Sequence, residues 1–207
     1  MQKICNESHC LNLIRNLVCQ NIGKTLILIA GATCSGKTYL SRSLAQIFHA
    51  SAAICGDLYF RDITDPLLPK NVNGGFLFDV PGAYRDERLK IDAQNSLQGH
   101  DIFSPDYNIR ENHIVSDYGK KIKSGNPLII ECLFAIKFLS GVHNNTIRIY
   151  MDTDKEVCMA RRMARDSKAY NIVEHRVREV FLAKFWPSYQ HYGAEQKNIA
   201  DIIIRQT

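Results

Sequence analysis

No apolar run in this 207-residue chain approaches the roughly 20 residues that span a bilayer. A secretory leader is not expected either, because Glu7, His9 and Arg15 break up the apolar stretch it would need. The expected location is therefore the cytoplasm, with no membrane partner. There is no dense basic run and no nucleic-acid-binding motif, so the net charge of +5 does not read as a nucleic-acid surface. The seven cysteines are odd in number and contain no C-x-x-C. Several lie in apolar stretches such as "AAICGD" and "IIECLF", where a free thiol packs like a small hydrophobe. They predict a reducing compartment rather than a disulfide framework. Cys5, His9, Cys10 and Cys19 match no zinc spacing. No repeat, low-complexity tract or linker divides the chain, which predicts one domain over residues 1–207.

What is present is "GATCSGKT", from Gly31 to Thr38, which fits G-x-x-x-x-G-K-[ST]. The glycines let loop N–H groups turn inward against phosphate oxygens, and a helix N-terminus behind them adds a favourable dipole. The candidate phosphate-binding residues are Gly31, Ala32, Thr33, Cys34, Ser35, Gly36, Lys37 and Thr38. Lys37 would reach the terminal phosphates, and the Thr38 hydroxyl would ligate Mg²⁺. The motif is credible in context, because "TLILIAG" before it reads as a strand buried on both faces and "KTYLSRSLAQIFH" after it has helical periodicity.

Further strands are expected at "SAAIC", "NPLIIECLF", "TIRIYMD" and "ADIIIR", and helices at residues 9–20, "ERLKIDAQNSL" and "DKEVCMARRMARD". A last helix, "EHRVREVFLAKFWPSYQHY", should run until Pro187 interrupts it, and residues 60–83 should be mostly loop. Strands alternating with helices imply an α/β fold, a mainly parallel sheet with helices on both faces. Such a loop needs an acidic group at the end of a neighbouring strand, and Asp79, Glu131 and Asp152 are the candidates. "DVPG" at residues 79–82 imitates the D-x-x-G of GTP-dependent switches, but no N-K-x-D follows to select guanine.

Taken in order, "GATCSGKT", "CGDLYFRD", "FDVPGAYRDERL", "LIIECLF", "IYMDTDKEVCMARRMARD" and "ADIII" resemble the uridine kinase / phosphoribulokinase-like kinases over roughly residues 24–205. "FWPSY" is similar to the neighbouring nicotinamide riboside kinases. The resemblance implies a three-layer P-loop fold with a helical lid at about residues 161–175 and an acceptor-side hairpin at about 99–116. Residues 1–22 would be an amphipathic helical extension. It also implies an ATP-dependent, Mg²⁺-using kinase for a small-molecule hydroxyl.

In that reading Asp57 orients or deprotonates the attacking hydroxyl. Glu131 joins Thr38 at the metal, and Asp79 accepts hydrogen bonds from a ribose diol. Arg161 and Arg165, one turn apart on one helix face, would neutralise the transferring phosphate, while Arg162 is placed to pair with Asp166. Tyr59, Asp106, Tyr107 and Arg110 are the other candidate substrate contacts. Two departures from the family stand out. The lid run "SKAYNIVEH" keeps only Lys168 of the usual basic residues. Pro105 and Arg110 occupy the hairpin places where pyrimidine nucleoside kinases present a Tyr and a His. A ribose 5′-hydroxyl is the expected acceptor, with another riboside or small alcohol as the alternative. A GTP switch and a nucleotide binder without catalysis are the rivals from other classes. An assembly of identical chains is left open.

Overall fold

The computed structural model describes residues 3–5, 7–49 and 51–206, with the backbone alone for residues 5 and 7–9. The side chains of Cys5 and His9, considered above for a metal cluster, lie outside the described set. The elements begin with strand β1 (Lys3–Cys5), helix α1 (Glu7–Gln20), strand β2 (Leu26–Gly31), helix α2 (Lys37–Ile47) and strand β3 (Ala52–Cys55). Helix α3 (Asp86–Leu97) follows. Then come short strands β4 (Ile102–Phe103), β5 (Asp106–Asn108), β6 (His113–Ser116) and β7 (Lys121–Ile122). The last part holds β8 (Leu128–Glu131), α4 (Ala135–Leu139), β9 (Thr146–Thr153), α5 (Lys155–Tyr170), α6 (Glu174–Val180), α7 (Trp186–Tyr192) and β10 (Ile202–Gln206).

Six strands form one sheet in the order β1-β10-β9-β2-β8-β3, and every pairing in it is parallel. Side chains alternate across a strand, so the central strands β2, β8, β9 and β10 feed two cores. Leu26, Leu28 and Ala30 join Leu128, Ile130, Phe134, Phe181 and Phe185 on one face. Ile27 and Ile29 join Ile129, Ile149, Leu40, Leu44 and Ile14 on the other. The sheet is thus sandwiched between α1 and α2 on one side and α3, α4 and α7 on the other. This three-layer arrangement is why the apolar runs are continuous rather than alternating.

The two antiparallel pairs, β4 with β7 and β5 with β6, make a nested hairpin outside the main sheet. Three features depart from the sequence reading. Strand β1 adds an unforeseen edge next to β10, in a stretch too short to show periodicity. Pro187 does not end its helix. A π turn at Phe181–Phe185 precedes it and runs directly into α7, so the proline sits in the first turn of that segment and the helical backbone continues past it. Cys10 is disulfide-bonded, against the expectation of thiols throughout, because sequence spacing does not reveal which Cα atoms come close enough to bridge. Cys19, Cys34, Cys55, Cys132 and Cys158 are free. Among the described residues no helix is long and apolar enough to cross a membrane.

Candidate active site

Strand β2 is buried along all six residues and delivers Gly31 to the carboxyl edge of the sheet. There φ is 149°, and a Cβ would lie 2.8 Å from the Met151 carbonyl oxygen and 2.9 Å from Ser35 Oγ, so a glycine is required. Cys34 (φ 58°) and Gly36 (φ 96°) also have positive φ ahead of α2, a backbone pattern that suits an anion-binding nest of N–H groups. The Lys37 ammonium donates to the Ala32 carbonyl at 2.8 Å, and the Thr153 hydroxyl donates to the Ser35 carbonyl at 3.0 Å. These bonds tie the loop to itself and to the end of β9.

One strand over, β8 ends at Glu131, which is only 3 % exposed. Its carboxylate accepts a 2.9 Å hydrogen bond from the Thr38 hydroxyl. Burial raises the Glu131 carboxyl above its usual range, while the Lys37 charge opposes that shift. A hydroxyl and a carboxylate in contact are hard oxygen donors of the kind Mg²⁺ takes. No group of three or more His, Cys, Asp or Glu stands ready for a metal among the described residues. The pair therefore suits an ion that takes one or two protein oxygens and completes its shell with phosphate and water. The third acidic candidate, Asp152, is engaged elsewhere by Lys197 at 2.9 Å and Arg205 at 3.4 Å.

Strand β3 brings Asp57 to the same edge. It enters a single helical turn through Gly56, where a Cβ would lie 2.5 Å from Cys132 Cβ. The ends of β3 and β8 are therefore close, and Asp57 and Glu131 line one cavity. Asp79 reaches this cavity from the far end of the 60–83 loop. Burial raises its carboxyl, Arg162 opposes that, and Asp57 adds to it. The cavity is about 620 Å³ and also takes in the phosphate loop, Arg161 and Arg165.

Two arginines of α5, Arg161 and Arg165, are part of its lining. Arg161 donates to Gln206 Oε1 at 2.9 Å and to the Cys34 carbonyl at 3.4 Å. Arg165 donates to Asp166 at 2.7 Å. Arg162 also pairs with Asp166, at 3.3 Å, and lies over the Phe185 ring at 4.9 Å.

Four of the residues read as substrate contacts lie elsewhere. Tyr59 is wholly buried and donates to Asp92 at 2.9 Å; its neighbour Phe60, the first extended residue after the turn, lines the cavity instead. Burial, reinforced by Asp92, pushes the Tyr59 phenol up. Tyr107 turns inward to pack on Phe60, with ring centroids 5.9 Å apart, and donates to the Arg61 carbonyl. Asp106 is exposed on the hairpin. Arg110 donates to the Ala169 carbonyl at 2.9 Å and lies against the Tyr170 ring, so it links the hairpin to α5.

Sequence reading missed Phe60, Tyr84, Leu133, Phe185 and Gln206, all of which line the cavity. Tyr84 directly follows the F-D-x-P-x-A stretch, which is the one signal that could have found it.

Residues 26–207 match the family described as PRK, phosphoribulokinase / uridine kinase. The chain is similar to the uridine kinase of Staphylococcus haemolyticus (strain JCSC1435), with 26 % identity over 182 residues, 87 % of this chain and 86 % of that one. It is similar to the uridine kinase of Halobacterium salinarum (strain ATCC 700922 / JCM 11081 / NRC-1), with 27 % identity over 177 residues, 85 % of this chain and 77 % of that one. Among solved structures, a possible uridine kinase from Bacillus stearothermophilus superposes with a TM-score of 0.62 at 13 % identity, covering 95 % of this chain and 98 % of that one. At that identity the likeness is one of fold.

Proposed function

We propose, for a chain that belongs to the phosphoribulokinase / uridine kinase family, that it is an ATP-dependent P-loop kinase whose acceptor is a small-molecule hydroxyl, in first place the ribose 5′-hydroxyl of a nucleoside. The observation that carries this reading is the single cavity that joins the phosphate loop to Asp57, Asp79, Glu131, Arg161 and Arg165. The two relatives named above as uridine kinases support the nucleoside.

In this reading the loop N–H groups and Lys37 hold the ATP phosphates. Asp57 accepts a hydrogen bond from the acceptor hydroxyl, orients its oxygen toward the γ-phosphorus and takes the proton as the new P–O bond forms. Lys37, Arg161 and Arg165 meet the negative charge that moves onto the leaving oxygen. Mg²⁺, held by Thr38 and Glu131, would supply charge neutralisation on the phosphates. Asp79 receives the ribose diol, since a carboxylate accepts two hydroxyl donors.

One observation favours a second acceptor class. Arg110, at the hairpin place where pyrimidine nucleoside kinases carry a base-gripping side chain, engages Ala169 and Tyr170 outside the cavity. The alternative acceptor is another riboside, such as nicotinamide riboside, or a pantothenate-like alcohol.

ATP consumption measured over a panel of ribosides and small alcohols tests the reading. Asp57→Asn should lower kcat by about 10²–10⁴-fold while ATP affinity stays nearly unchanged. Wild-type turnover in that variant would remove Asp57 from the reaction. Equal binding of GTP and ATP without transfer would favour the switch, and ATP binding without transfer to any acceptor would favour a non-catalytic nucleotide binder.

A further inference from the structure

The Tyr84 hydroxyl has no part in the reading above, yet it donates to Asp57 Oδ1 at 3.4 Å. It is the one side-chain donor to that carboxylate among the described residues. The contact spans 27 residues of sequence, and the backbone is built to hold it. Phe60 and Tyr84 form an isolated antiparallel bridge, flanked by Arg61 N–H to the Ala83 carbonyl at 2.8 Å and Arg85 N–H to the Tyr59 carbonyl at 2.7 Å. These bonds fasten the far end of the 60–83 loop to the turn that carries Asp57. The Tyr84 ring is 1 % exposed and packs against Phe60, Phe134 and Phe138, with centroids 4.2, 5.7 and 5.4 Å away. The phenol therefore has almost no freedom, and it lines the same cavity as Asp57.

A carboxylate has two equivalent oxygens and a soft terminal torsion, so an unheld Asp57 would present either oxygen over a wide range of angles. A donor on Oδ1 leaves Oδ2 as the oxygen free to accept from an acceptor hydroxyl. From this geometry we infer that Tyr84 is a positioning residue for phosphoryl transfer, whose hydroxyl locks the Asp57 carboxylate in the orientation that receives the acceptor hydroxyl. The inference rests on the kinase reading, with Asp57 as the group that meets the acceptor. Burial and the nearby carboxylates keep the phenol protonated, so it serves as a donor across the whole physiological pH range.

Tyr84→Phe keeps the ring packing and removes only the donor. With an acceptor that the wild type phosphorylates, kcat should fall roughly 10-fold, the low end of what losing an orienting partner costs at metal ligands. KM for acceptor and Kd for ATP should stay within about two-fold, because the hydroxyl acts on transfer rather than on binding. In the Asp57→Asn background the same change should have no further effect, since the group it orients is gone. A wild-type kcat in Tyr84→Phe overturns the inference. So does a rise in acceptor KM at constant kcat, which would make the hydroxyl a direct substrate contact. Loss of ATP binding in Tyr84→Phe would make its role architectural and also overturns it. If the wild type transfers phosphate to no acceptor, the kinase reading itself fails; that result is distinct from an active wild type with an equally active variant.

Discussion

At the scale of single residues, the site depends on atoms that leave no room for substitution. Gly56 shows this away from the phosphate loop. Its missing side chain lets the turn carrying Asp57 lie against Cys132, and an added Cβ would sit 2.5 Å from Cys132 Cβ and 3.2 Å from the Glu131 carbonyl oxygen. The obstacle is backbone and Cβ, which cannot swing aside. Gly56→Ala should therefore cost about 1–3 kcal/mol of stability by overpacking, measured by thermal or urea denaturation, and should lower kcat by displacing Asp57. Thr38 is a different case. Its hydroxyl donates to Glu131, so Thr38→Ala leaves a buried carboxylate with fewer partners and, in the proposed reading, takes one oxygen from the Mg²⁺ site. The expected result is weaker Mg²⁺-dependent ATP binding, with a higher Mg²⁺ concentration needed for half-maximal activity in a titration.

Among the elements, the hairpin is held to the loop by the Ile63 N–H on the Asn112 carbonyl at 2.8 Å, by Tyr107, and by an acidic group, Asp62. Asp62 accepts from the Thr64 hydroxyl at 2.7 Å, from the Thr64 N–H at 2.9 Å and from the Ile114 N–H at 2.7 Å, and it pairs with His113 at 2.6 Å. The Thr64 hydroxyl, followed by the Ile114 and Thr64 N–H groups, holds the Asp62 carboxyl well below the usual carboxylate range. A depressed folded value means the ionised form is the stabilising one. Its contribution is complete above the ordinary value of about 4 and fades as pH falls below that toward the folded value. Asp62→Asn should accelerate amide exchange at Ile114 near neutral pH, and the gap between variant and wild type should narrow below about pH 4. A gap that is flat with pH would sink this account. On its other side the hairpin touches the lid helix through Arg110 and Ala169, so loosening it should also raise exchange at the end of α5.

For the whole molecule, the cavity lies at the carboxyl edge of a sheet whose layers are joined there by the loop, the lid and the C-terminal strand. Ligand binding at that edge stabilises the folded chain by mass action. ATP with Mg²⁺ at 100 times its dissociation constant should add about 2.7 kcal/mol, which corresponds to a melting-temperature rise of about 5–11 °C for a domain of this size. The absence of N-K-x-D predicts a smaller shift with GTP at equal concentration. Equal shifts with both nucleotides would contradict that expectation.

The main layers were legible in the sequence because they depend on local rules. The continuous apolar run from Leu26 to Ala30, closed by a glycine loop, is the pattern of a strand covered on both faces, and β2 is buried along its whole length. Asp57, Glu131, Asp79, Arg161 and Arg165 were found as strand-end and helix-face residues, and all five line the cavity. Tyr59 and Phe60 were not separable, since which of two neighbouring aromatics faces a core depends on the walls around them. Pro187 has the look of a stop in the sequence, but its effect depends on the π turn that precedes it. The sequence alone determined that a glycine loop lies between a strand and a helix and that acidic residues close two neighbouring strands, because both follow local rules. Only the tertiary structure decided that Tyr84 holds Asp57 and that Arg110 serves the lid rather than the cavity. Those contacts join residues 27 and 59 positions apart, and their partners are set by how the chain packs rather than by spacing along it.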